Sequence, residues 1–237
     1  MNKPKIIFEI LQKLEPFATN PENIRPYNCW LNALDITDNT SCDLLKLRTK
    51  LASTVYEIVE ILESDAPDVY DKTWVNDLVT LFTMQIHEPT PFFVQLKKIY
   101  PHTKNMIAVQ IRLWDHLKGK TKNIDFDELK KLKEKTNELV ESLIINDSLD
   151  QHAKAFCIKQ LKKIIDVIDH YNIYGNEGIL DIVEESIGHA FTNKKYHDYM
   201  KDEKSADWRK YLNDLSAIVA TSDSILSIGT TLRSLIP

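Results

Sequence analysis

Glycine is scarce, with five residues in 237 and none before Gly119. A phosphate cradle needs glycines gathered between a strand and a helix, so that backbone amides can approach the anion. The one close pair, Gly175 and Gly178, sits between two helical patterns and lacks a following Lys-Ser/Thr, so nucleotide binding of that type is not indicated. Cysteine is scarcer: Cys29, Cys42 and Cys157 are an odd number with no CxxC spacing. This argues against a secreted disulfide framework and a cysteine-rich zinc module, and fits a reducing cytoplasm. No stretch approaches the roughly eighteen uninterrupted apolar residues of a conventional spanning helix. Glu9 and Gln12 break the apolar run near the amino terminus that a signal peptide requires, so no export signal is expected.

Charge of one sign is missing too. The net charge of -5, with 43% hydrophobic and 27% charged residues, is ordinary for a soluble globular chain and gives no general pull toward nucleic acid or anionic membrane. Acids and lysines alternate, as in Glu128-Leu129-Lys130-Lys131-Leu132-Lys133-Glu134-Lys135, which is how a solvated helix face reads. A chain of this length should bury roughly 70 to 75% of its unfolded surface, enough for a core without metal or disulfide.

What the chain has in quantity is helical periodicity, punctuated by proline only in its first part: eight of nine prolines lie at or before Pro101. Ile6, Ile7, Ile10, Leu11 and Leu14 predict a short helix closed by Pro16, after which Pro21 and Pro26 should hold the chain extended. Thr40-Ser41-Cys42-Asp43 has capping-box spacing ahead of Leu44, Leu47, Leu51, Val55, Ile58 and Leu62, predicting a helix to about Ser64. Trp74, Leu78, Leu81, Phe82 and Ile86 mark another that ends before Pro89. Thr90-Pro91 reads as an N-cap with proline at the first helical position, opening a helix over 92–100. Met106, Ile107, Val109, Leu113, Trp114 and Leu117 make one more, closed by Gly119, and 118–122 reads as a linker.

Asp125-Phe126-Asp127-Glu128 repeats the capping-box spacing before Leu129, Leu132, Leu139, Leu143 and Ile144. The following stretch, 148–188, is the centre of the reading. Phe156, Cys157, Leu161, Ile164, Ile165, Ile168 and Tyr171 recur at three- and four-residue steps behind an N-cap at Asp147 or Ser148. Gly175 suits a positive-φ residue at a helix end, and Ile179, Leu180, Ile182, Val183 and Ile187 restart the period. Tyr171, Tyr174, Gly175 and Gly178 thus form a structural corner between two helices. Residues 193–204 read as a polar connector, and Trp208, Leu212, Leu215, Val219, Leu226, Leu232 and Leu235 carry a last helical stripe.

Chemistry is harder to find. The seven histidines show neither HxxxH nor HExxH spacing, so no local helical zinc site is written. Asp166 with His170, and Glu185 with His189, are i, i+4 pairs. Each reads either as an acid/base or metal dyad or, more simply, as a helix-surface ion pair worth about 0.2–0.5 kcal/mol. Glu128-Leu129-Lys130 resembles a nuclease fragment but opens a helix where such chemistry needs a strand. No GxSxG elbow or cysteine-protease signature appears. Lys194-Lys195-Tyr196-His197-Asp198-Tyr199 interleaves aromatics with lysines, yet Asp198, Asp202 and Glu203 oppose a nucleic-acid footprint. No catalytic residue, metal, cofactor or small-molecule ligand is assigned.

The final stripe offers more. Residues 216–237 carry only Asp223 and Arg233 as charges, with small residues Ala220, Ser224 and Gly229, a pattern that permits close helix-helix approach. It reads either as a core helix or as an interface through Leu215, Val219, Ser222, Leu226, Gly229 and Leu232, with a protein partner or self-association. Membrane insertion would occur only conditionally, because Asp223 would cost about 2.5–3.5 kcal/mol at the bilayer centre.

The run Tyr171-Asn172-Ile173-Tyr174-Gly175-Asn176-Glu177-Gly178-Ile179, followed by an amphipathic helix closing near Gly188, resembles a pattern of uncharacterised bacterial helical proteins carried near mobile-element or antiphage genes. It covers about a quarter of the chain, and the resemblance implies an accessory or effector-control role and no catalytic residues. The expectation is an all-α, multi-helix bundle of about eight to ten helices with negligible strand, divided into a proline-punctuated region, 1–119, and a bundle, 120–237. Its expected function is a cytoplasmic, non-catalytic interaction or assembly subunit of a bacterial antiphage-defence or toxin system. The alternatives are an enzyme with a metal or acid/base site assembled across helices and a conditional membrane effector using 215–236.

Overall fold

Helix accounts for all regular structure in the described residues, 2–19, 24–36, 41–66, 72–118, 123–146 and 149–219 of a computed structural model, and no strand occurs among them. The fold is all-α. It holds eleven α-helices in these residues, above the eight to ten expected, because two segments read as extended or connecting are helical. The chain divides into two compact units, Asn2–Lys120 and the residues from Thr121 onward.

In the first unit, α1 (Lys3–Thr19) buries Ile6, Ile7, Ile10, Leu11 and Leu14, the stripe its spacing predicts. Asn2 caps it by accepting from the Lys5 amide at 2.9 Å, and its amide group donates to Ile111 O (3.0 Å) and Asp115 Oδ1 (2.8 Å) on the packed neighbour α6 (His102–Lys118). Pro16 does not close α1 as expected; it lies inside the last turn, where the missing amide forfeits one ladder bond. Pro26, also expected to hold extended chain, instead opens α2 (Pro26–Ala33) at its first position, where no amide is needed. Arg25, the residue before it, is extended, at φ -78° and ψ 140°. Pro21 lies outside the described residues.

Helix α3 (Ser41–Asp65) buries Leu44, Leu47, Leu51, Val55, Ile58 and Leu62 against α4 (Thr73–Thr83) and α1. Thr40, its expected cap, lies outside the described residues. Arg48, 4% exposed, donates to Met84 O (2.5 Å) and Leu81 O (3.4 Å), capping the carbonyl end of α4 from the side. Burial lowers its guanidinium pKa to about 10, so it stays charged at neutral pH. Helix α5 (Pro89–Ile99) begins at Pro89 after an extended Glu88, earlier than Thr90-Pro91 suggested, because Pro89 fits the first helical position equally well. Ile86 falls beyond the end of α4, and Gly119 lies outside the described residues.

In the second unit, α7 (Phe126–Ile145) is capped by Asp125, which accepts from the Glu128 amide at 2.8 Å, as its spacing predicts. Helix α8 (Gln151–Asp169) is capped by Asp150, bonded to the amides of His152 (2.9 Å) and Ala153 (3.2 Å). Asp147 and Ser148, the expected caps, lie outside the described residues. Helix α9 (Tyr171–Thr192) packs on α8 and α11 (Ala206–Val219) and runs through Gly188 without ending there. Nothing crowds Gly188, and its neighbours keep the apolar period.

The segment read as a polar connector is α10 (Lys194–Lys201), followed by a short 3-10 turn, Glu203–Ser205. Tyr196, Tyr199 and Met200 sit at i, i+3 and i+4 and are buried; this one-turn apolar face outweighs the surrounding charge. The core of this unit gathers Cys157, Leu161, Ile164, Ile179, Val183, Trp208, Leu212 and Leu215.

Candidate functional site

The chain leaves α8 at His170, and the helical path of α9 is itself broken by a kink at Gly175. Gly175 has φ 57° and ψ -160°, a conformation essentially reserved to glycine and distinct from the ordinary left-handed helix end. A Cβ on Gly178 would lie 2.7 Å from Tyr174 Cβ and 3.0 Å from Val167 Cγ1. The Tyr171 hydroxyl accepts from the Ile124 amide at 2.9 Å and donates to Asn176 Oδ1. Desolvation raises its pKa, so it remains a neutral hydroxyl. Tyr171, Tyr174, Gly175 and Gly178 therefore brace a turn.

The two suspected dyads have different fates. His170 ends α8, with Nδ1 3.0 Å from Asp166 O and 3.6 Å from Asp166 Oδ1, a local helix-end contact. Glu185 turns away from His189: it accepts from Lys163 (2.5 and 2.8 Å) and Gln160 (3.0 Å), and the Lys163 contact chiefly lowers its carboxyl pKa. His189 stacks on Phe156 at 3.9 Å between centroids, with Tyr196 5.2 Å away. Among the described residues no group of three or more His, Cys, Asp or Glu could hold a metal ion.

Tyr196 and Tyr199, weighed as base-stacking residues, are core side chains. Tyr196 Oη accepts from Trp208 Nε1 at 2.7 Å, and burial pushes both phenols upward. Burial likewise raises the thiols of Cys29, to about 11, and Cys157. Leu215 and Val219, candidates for an interface, are buried in the second unit's core. Ser222, Leu226, Gly229 and Leu232 lie outside the described residues. No helix among the described residues is long and apolar enough to cross a membrane.

The feature that spacing did not reveal lies in the first unit. The starts of α2 and α5 border a groove of about 530 Å³ lined by Ile24, Arg25, Pro89, Thr90, Phe93, Val94 and Lys97, within the roughly 300–1,000 Å³ range of ligand sites. Phe92, Leu96 and Ile99 point inward on α5, which leaves Val94 on the opposite face, 64% exposed. Phe93 closes the floor, braced edge-on against Phe92 at 5.1 Å and 74°. Lys98 pairs with Asp77 at 2.6 Å, whereas Arg25 and Lys97 have no ion pair among the described residues. The signal was available in Phe92-Phe93-Val94: three consecutive apolar residues on a helix cannot all face inward.

Two smaller clefts mix both signs of charge. One, about 270 Å³, holds Asp150, Asp198 and Asp202 with Lys195 and Lys204; the other, about 260 Å³, holds Glu138 and Asp207 with Lys135 and Lys210. Among the described residues, the only charged side chains lining the groove at Arg25 and Lys97 are those two cations. No family model, curated protein or solved structure matches the chain.

Proposed function

We propose that this protein is a non-catalytic helical interaction subunit that engages a protein partner through the first unit. The observation that carries this reading is the groove between α2 and α5, with its apolar floor and the outward-facing Val94. An exposed apolar surface rimmed by polar side chains is what a docking site presents. The local occupations of Glu185, His189 and the α10 tyrosines support the same reading, since each already serves packing or pairing. The resemblance of the Tyr171–Ile179 corner supports placing the subunit in an accessory or control role in a bacterial defence or toxin assembly; that part of the proposal rests on the resemblance alone.

The test is the light-scattering mass of the full chain isolated from its native host. A stoichiometric complex heavier than the 27.5 kDa chain is expected, and a chain that remains at its monomer mass while turning over a substrate overturns the reading.

A further inference from the structure

Resting on the interaction reading above, we infer that the groove at Arg25 and Lys97 receives an acidic segment of a protein partner that presents one apolar side chain. Charge complementarity selects the sign. Among the described residues, seven side chains line the groove, two are cations, and none is a carboxylate. Glu88 immediately precedes Pro89 but is not part of the lining. Lys98, one residue on, is paired with Asp77, while Arg25 and Lys97 have no ion-pair partner among the described residues. Because the whole chain carries -5, an acidic partner is repelled by most of this protein and attracted here, so the groove sets register as well as affinity.

The apolar requirement comes from the floor. Ile24, Phe93 and Val94 offer carbon surface to an occupant, and Pro89 stiffens the wall because its ring fixes φ. An occupant of charge alone would leave that surface in water, and an apolar one alone would leave two cations unanswered. A single aromatic or large aliphatic side chain flanked by Asp or Glu satisfies both. Two cations beside an apolar floor do not make the extended basic stripe of a nucleic-acid site.

The test uses the full chain and a short dye-labelled acidic peptide with one central phenylalanine, followed by fluorescence anisotropy. Two comparison peptides replace the phenylalanine by alanine or the acids by lysines. Saturable binding of the first peptide is expected, weakened by about tenfold or more with the alanine peptide, with Val94→Asp, and with Arg25→Glu combined with Lys97→Glu. The charge-reversed variant should in turn take up the lysine peptide. Arg25, Val94 and Lys97 are exposed, so helical circular dichroism should be retained. If a variant nevertheless unfolds, the wild-type contrast between the three peptides decides.

Absent or non-saturable binding overturns the inference, as does equal binding of the alanine peptide or indifference of folded variants to the acidic one. Failure here is distinguishable from failure of the broader reading. If the native complex persists when the chain carries Arg25→Glu and Lys97→Glu, the interaction subunit stands and the groove assignment falls.

Discussion

Gly175 and Gly178 lie three residues apart in one corner and are needed for unrelated reasons. Gly175 requires a backbone conformation that a Cβ opposes, and Gly178 requires space that Tyr174 Cβ already fills. Each change to alanine should therefore destabilise the protein, Gly175→Ala by about 1–3 kcal/mol through backbone strain and Gly178→Ala by about 1–3 kcal/mol through overpacking. Gly188→Ala is the internal contrast. Nothing beyond its chain neighbours and its own helical backbone lies within 4 Å of its added Cβ and it sits inside α9, so the change should stabilise by about 0.5–1 kcal/mol by removing helix-interior glycine. Urea denaturation of the three variants checks the ordering; a neutral Gly178→Ala would show that the corner yields. Positive φ at Gly175 was legible because a glycine stood where an apolar period broke. The crowding at Gly178 was not, since it depends on how α8 approaches the turn through Val167.

Between elements, the first unit is stitched by charge as well as by core. Glu57 on α3 accepts from Lys3 on α1 at 2.8 Å and from Lys50 on its own helix at 3.0 Å. Burial alone would raise its carboxyl pKa, but the two lysines outweigh that and hold it below the ordinary glutamate range. A folded-state pKa below the unfolded one contributes stability that is present above the unfolded value and lost as pH falls through the folded value. Glu57→Gln should therefore cost about 1 kcal/mol at neutral pH, with the gap to wild type closing as acid protonates the carboxylate. Denaturation midpoints across that range measure it, and a gap that persists in acid would assign the effect to shape instead of charge. Element existence was largely written in three- and four-residue spacing, from α3 to α9. The misses share a cause: Pro16, Pro26, Pro89 and the charges of α10 were weighed as breakers, yet Pro26 and Pro89 stand at first helical positions where no amide is needed, Pro16 forfeits one ladder bond without ending α1, and Tyr196, Tyr199 and Met200 needed only one turn of apolar face. The groove was less legible still, because it joins residue 24 to residue 97 and no local period records that meeting.

At the scale of the whole molecule, each unit has its own centre. Trp30, Trp74, Phe82 and Phe92 are fully buried in the first, and Cys157, Leu161, Trp208 and Leu212 in the second. Units of about 100–150 residues with a separate core are the size at which chains fold alone. Fragments 1–120 and 121–237, expressed separately, should each show helical circular dichroism and a cooperative thermal transition. The corner at Gly175 should then destabilise only the second fragment when changed to alanine, and Glu57→Gln only the first, because the contacts that carry each effect are internal to one unit. A fragment that remains unfolded until the other is added would contradict this independence. It would also change how the two variants are read, since a lesion in either half would then report on both.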